Sequence, residues 1–120
     1  MFGSEAGIIF NSIKAEGVKP FEMVIGRLKQ ALAESADPVR KQQAAGWKIF
    51  KAAETGPAAS VLYVFVMDPA VKGADYGVMA NIYAAVKDPT EQRAIYDKYV
   101  GAFDKNILQL SFTTAADLSK

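Results

Sequence analysis

Asn11, Trp47, Tyr63, Phe65, Gln109 and Ser111 carry the side chains of this sequence whose types could do chemistry together. Gathered on one surface, they would combine broad aromatic area with a few amide and hydroxyl groups. Many small-molecule pockets have that composition. Asn11, Trp47, Tyr63, Phe65 and Gln109 are therefore expected to bind a ligand, a small apolar or aromatic molecule. The same residue types also pack interfaces between protein chains. Nothing in the sequence names a catalytic residue, because serines and threonines are scattered without a partnered base.

The chain contains neither histidine nor cysteine. The usual general base, the usual metal ligand and the axial haem histidine are missing, together with thiol nucleophiles and sulfur-containing zinc sites. A hard cation held by carboxylates could use Asp68 and Asp75, or Glu91 and Asp97, but capping and solvation already account for these acids. No metal and no cofactor is expected. Whether the chain is an enzyme stays open at this point. Fourteen basic residues against thirteen acidic ones give a formal charge of +1, with no dense basic cluster, so nucleic acid is not an expected partner. The longest apolar run is far short of the ~20 residues of a membrane-spanning helix. A content of 51% hydrophobic and 22% charged residues is that of a folded, soluble chain, and 120 residues fit one domain, residues 1–120. The start, Met1-Phe2-Gly3-Ser4, has no export-signal pattern, which is consistent with a cytoplasmic protein or an exported one whose signal has been removed.

The elements that must position these residues follow from periodicity and punctuation. Gly7 to Lys14 reads as a strand. A helix opens at Lys19-Pro20, with Phe21, Val24, Leu28, Ala31 and Leu32 as its apolar stripe. Asp37-Pro38 starts a short helical turn. Trp47 to Lys51 is a strand with charges at 48 and 51, suited to a sheet edge, and Glu54-Thr55-Gly56-Pro57 is the turn after it. Val61 to Met67 is a strand of seven consecutive apolar residues. A helical region marked by Tyr76, Met79, Ile82 and Tyr83 follows. Asp88-Pro89-Thr90-Glu91 opens the last helix, whose face is Ile95, Tyr96, Tyr99, Val100 and Phe103. Ile107 to Thr113 closes as a strand, with Leu108, Leu110 and Phe112 alternating against Gln109 and Ser111.

This order gives an α+β fold, the ferredoxin-like split βαβ sandwich: a four-stranded antiparallel sheet with helices on one face. Parity then sorts the faces. If Leu108, Leu110 and Phe112 face the core, Gln109 and Ser111 face away. Leu62, Val64 and Val66 are placed under the helices with Ile8 and Phe10. Ile9, Asn11, Ile13, Tyr63, Phe65 and Met67 then lie on the open face, joined by Trp47 and Ile49, with Phe50 in competition. Such a patch exceeds the roughly 300–600 Å² common on monomers. A homodimer pairing two sheets would cover it, with Ile9, Ile13, Phe65, Met67 and Ser111 at the interface.

Through this element order and the doubly apolar strands, roughly residues 7 to 113 resemble the dimeric α/β-barrel superfamily, whose ferredoxin-like subunits pair sheet to sheet. Gln43-Ala44-Ala45-Gly46-Trp47-Lys48, followed by Val61-Leu62-Tyr63-Val64-Phe65, also looks like a group of small uncharacterised bacterial proteins of this build, some made with export signals. The resemblance implies a binding or interaction module. Its alternative implication is a cofactor-independent monooxygenase or isomerase acting on an aromatic or lactone-like small molecule, with Asn11, Trp47 and Tyr63 converging on one open cavity. Three further features have plain readings: Tyr76, Tyr83, Tyr96 and Tyr99 as core residues with hydroxyls at the rim, Asp68 to Asp75 as a connection and not a lid, and Arg40-Lys41 as a solvated turn.

Overall fold

The computed structural model describes residues 5–56, 59–103, 108–112, 115, 116 and 118, with the backbone alone for Thr55 and 108–112. The elements are β1 (Ala6–Ile13), α1 (Val18–Glu34), α2 (Pro38–Gly46), β2 (Trp47–Thr55), β3 (Val61–Met67), α3 (Val78–Ala85), α4 (Pro89–Ala102) and β4 (Leu108–Phe112). The chain is thus α+β with an antiparallel sheet. β3 lies between β2 and β1, and β4 pairs with the other side of β1, giving the order β2-β3-β1-β4. Pro57, Ile107 and Thr113, expected in a turn and at strand ends, lie outside the described residues.

Local chemistry explains the helices. α1 buries Phe21, Val24, Leu28, Ala31 and Leu32, the stripe set by helical spacing. α2 and α4 start with the same device. Asp37 Oδ1 accepts from Val39 N at 2.9 Å and Asp88 Oδ1 from Thr90 N at 3.3 Å, each with proline in the first turn where no N–H is needed. Glu91 does not complete a capping box; it pairs with Arg27 of α1 at 3.1 Å. α4 buries less than its spacing suggests: Ile95 is covered, but Tyr96 and Val100 are 44% and 46% exposed. Tyr76 precedes α3 and does not ride on it.

One feature reverses an expectation. Ile9, Asn11, Ile13, Tyr63, Phe65 and Met67 are all buried, and the five apolar ones belong to the core that α1, α3 and α4 close. Ile8, Phe10, Leu62, Val64 and Val66 are only half-buried and form no part of that core. The register keeps each set together, Ile9 opposite Phe65 and Phe10 opposite Val64, so the whole assignment of faces is exchanged. Ile9, Ile13, Phe65 and Met67 are accordingly core residues of one chain and cannot form a sheet-to-sheet contact. Trp47 and Ile49 follow Met67 and Phe65 onto the helix side, while Phe50, opposite Val64, is 54% exposed on the open side. In β4 the register sets Leu108 opposite Phe10 and Leu110 opposite Ile8, with Gln109 opposite Ile9 and Ser111 opposite Gly7. The molecule is 19 Å in its smallest extent, the thickness of one sheet and one helix layer.

Candidate functional site

The site candidates divide between two ends of the helix-covered face. Trp47 opposes Met67, whereas Tyr63 opposes Lys51, four positions along β2. At ~3.3 Å per residue this separates them by roughly 13 Å.

At the Tyr63 end, Asn11 is fully buried and its Nδ2 donates to Tyr63 O at 3.2 Å, which fixes the register of β1 against β3. Asn11 Oδ1 is buried without a partner. The Tyr63 ring packs on Phe21 with centroids 4.7 Å apart, and its hydroxyl donates to Glu22 Oε2, which Lys51 Nζ also reaches at 3.2 Å. Burial, and next the Glu22 carboxylate, hold the Tyr63 phenol far above its ordinary value. The hydrogen bond from Tyr63, and next that from Lys51, lower Glu22. Both shifts move away from neutrality, so neither group is poised to exchange a proton near pH 7. Burial alone pushes Tyr99, stacked on Phe21 at 6.3 Å, up to about 12.

At the Trp47 end, a groove of about 500 Å³ opens between α1, α2 and β2, lined by Ile25, Leu28, Lys29, Leu32, Trp47 and Ile49. Its size falls within the range of small-molecule pockets. Trp47 packs edge-on against Tyr76 at 5.1 Å and Phe65 at 5.9 Å. The indole Nε1–H is buried and has no acceptor, a deficit of about 1–3 kcal/mol. Lys29 brings a cation to an otherwise apolar lining.

The two ends do not share one cavity. Phe65 links them through Trp47 and, at 6.5 Å, Phe21, but Asn11 and Tyr63 are shut under helices and do not line the groove. The side chains of Gln109 and Ser111 lie outside the described residues. The loop 68–77 is tied at several points: Asp68 N donates to Gly46 O, Val71 N to Tyr76 Oη, and Gln43 Nε2 and Asn81 Nδ2 both to Asp75 O. Gly46 is required beneath this loop, since a Cβ there would lie 2.5 Å from Pro69 O. Among the described residues no three acids gather as a metal site. Asp75 Oδ1 instead accepts from Gly77 N, and Asp97 pairs with Arg93.

Three residues of consequence, Lys29, Glu22 and Asn81, were not singled out by the sequence, and a fourth, Arg40, was read there as part of a solvated turn. Lys29 and Glu22 sit among the polar positions of α1, where a groove rim looks like any solvated face. Arg40 turns inward to Asp37 at 2.8 Å, unlike its exposed neighbour Lys41. Asn81 is 1% exposed, and its signal is a lone amide within the apolar stretch Val78–Ala85. Comparison with family models, curated proteins and solved structures returns no match to this chain. No helix among the described residues is long and apolar enough to cross a membrane.

Proposed function

We propose that this protein is a binding module that holds a small apolar molecule in the groove beside Trp47. The observation that carries this reading is the buried, unpartnered indole N–H on an apolar groove of about 500 Å³. A guest with a hydrocarbon or aromatic body and one oxygen acceptor would meet both demands, and Lys29 favours an acceptor that is anionic. The cofactor-independent oxygenase reading is the weaker one, because Asn11, Trp47 and Tyr63 stand at two ends of the sheet and not around one substrate.

The same proposal includes a ferredoxin-like split βαβ subunit that pairs sheet to sheet in the manner of the dimeric α/β barrels. Its support is the open face, where Phe10, Val64 and Phe50 form one row across three strands and Ile8 and Val66 stand beside them. Antiparallel sheets with a solvated side normally alternate apolar with polar residues. An isologous contact through this row would remove the apolar area from water.

Native mass spectrometry at low micromolar concentration tests both parts. The expected result is a dimer carrying extra small-molecule mass. Leu32→Trp, which fills the groove, should release that mass and leave the dimer; Val64→Lys should give monomers that still retain it. A wild-type protein that stays monomeric ends the sheet-pairing proposal. A dimer that never retains apolar carboxylic acids added in excess ends the binding proposal.

A further inference from the structure

A second crevice, of about 280 Å³, lies among the end of α1, the start of α2 and the last turn of α3, and shares no lining residue with the groove beside Trp47. Small side chains, Ala31, Ala36, Ala84 and Ala85, make half of its lining; Glu34, Ser35, Arg40 and Asn81 supply polar groups. Arg40 and Asn81 each leave one buried atom unpartnered. Arg40 Nε is a donor and Asn81 Oδ1 an acceptor.

Neither atom can be satisfied by turning the side chain over. Asn81 Nδ2 donates to Asp75 O and to Gly77 O, both at 2.8 Å, and a flipped amide would set its oxygen against two carbonyls. Arg40 Nη1 is held by Asp37 Oδ2 at 2.8 Å, and the other carboxylate oxygen of Asp37 caps α2. The planar guanidinium is thereby oriented, and Nε–H with it. The alanine methyl groups offer no acceptor or donor, and the other polar side chains of the lining have partners elsewhere, Glu34 Oε2 accepting from Gln30 Nε2 at 3.4 Å and Ser35 Oγ from Asp37 N at 3.1 Å. Buried polar atoms in folded proteins are nearly always paired, so two orphans on one crevice point to a group that completes both.

That group must offer an acceptor to Arg40 and a donor to Asn81. A carboxylate would suit Arg40 but set negative charge against Asn81 Oδ1, and an ammonium would do the reverse. We propose that this crevice binds a primary carboxamide or urea-type group, its carbonyl oxygen accepting from Arg40 Nε–H and its N–H donating to Asn81 Oδ1. The volume is several times the ~30 Å³ share of one water, so it admits a group of this size. The site stands whatever occupies the groove beside Trp47.

Nitrogen-detected NMR titration of the full chain provides the test, with acetamide, N-methylacetamide, acetate and methylammonium as probes. Acetamide should saturate with a dissociation constant in the millimolar range, as befits so small a ligand, and move the Asn81 side-chain amide and Arg40 Nε–H signals. Acetate and methylammonium should not. Arg40→Lys keeps a cation for Asp37 but removes the Nε–H, and should weaken acetamide at least about tenfold; Ala84→Leu, at an exposed position, should fill the crevice and abolish binding. Saturation by N-methylacetamide in preference to acetamide would overturn the primary-amide assignment, since the N–H of a trans secondary amide points away from its carbonyl oxygen. Shifts that rise linearly to about 200 mM, that acetate reproduces, or that persist in both variants would overturn the proposal.

Discussion

The two faces of the sheet are built from the same kinds of residue, yet among the described residues the helices cover only one of them. On the helix side Phe65 is 1% exposed and touches Phe21 and Trp47, and Tyr63 adds a hydrogen bond to α1. On the other side Phe10 and Val64 are half-buried by their sheet neighbours, and Phe50 is largely bare. The difference lies in what stands opposite and not in hydrophobicity. The helix side also accommodates polar atoms, Asn11 and the Tyr63–Glu22–Lys51 group, because α1 and the neighbouring strand supply partners for most of them.

Substitution at matched positions gives the largest expected contrast. Phe65→Ala should cost about 3–5 kcal/mol in denaturant unfolding, whereas Phe10→Ala, measured at concentrations where the chain is monomeric, should cost less than about 1 kcal/mol. Equal losses would show that the open face is packed by something within the chain. Gly17→Ala comes next. A Cβ at Gly17 would lie 2.6 Å from Ala102 O, where α1 begins against the end of α4, so overpacking of about 1–3 kcal/mol is expected on the covered side by thermal denaturation. At Gly26, on an exposed part of α1 where a Cβ meets nothing within 4 Å, alanine should instead stabilise by up to about 1 kcal/mol.

Tyr63, Tyr99 and Glu22, whose ionisation is displaced by their surroundings, belong to the covered side. The unfolded chain loses its tyrosine protons near pH 10, while the folded chain keeps those of Tyr63 and Tyr99 longer. Stability is therefore full below pH 10 and falls as pH rises through about 12 for Tyr99, which alkaline denaturation followed by circular dichroism would measure; Tyr63→Phe should flatten the curve. The smallest effect is Glu22. Its lowered value means stability present above its ordinary 4.5 and lost as pH falls through the folded value. With a half-exposed carboxylate, solvent screening limits this to a few tenths of a kcal/mol. Glu22→Gln should remove that slope in acid unfolding curves.

Element positions were legible in the sequence because each carries local punctuation: Asp-Pro at two helix starts, apolar spacing along α1, and Val61 to Met67 as one unbroken strand. Which face meets the helices was not legible from β3, where both faces are apolar, nor from β4, where alternation marks an apolar side without saying what covers it. The informative strand was the edge. In β2, Trp47 and Ile49 flank Lys48, and carrying that parity through the register to Met67 and Phe65 gives the observed faces. Asn11 and Tyr63 are register partners across β1 and β3, but their union with Trp47 required distance along the strand to be counted. The Arg40–Asn81 crevice depends on contacts between α2 and α3, which no local pattern encodes.

Trp47 is the sole tryptophan of the chain, and it sits at one end of the covered face while Tyr63 and Tyr99 sit toward the other. Indole emission therefore reports the groove end alone, and once Tyr76, Tyr83 and Tyr96 are replaced by phenylalanine, tyrosine absorbance reports the Phe21 cluster. The protein thus has two intrinsic optical probes separated along one sheet. Melting curves followed at both wavelengths would superimpose if the domain opens as one cooperative unit, and a lag between them would identify which end lets go first.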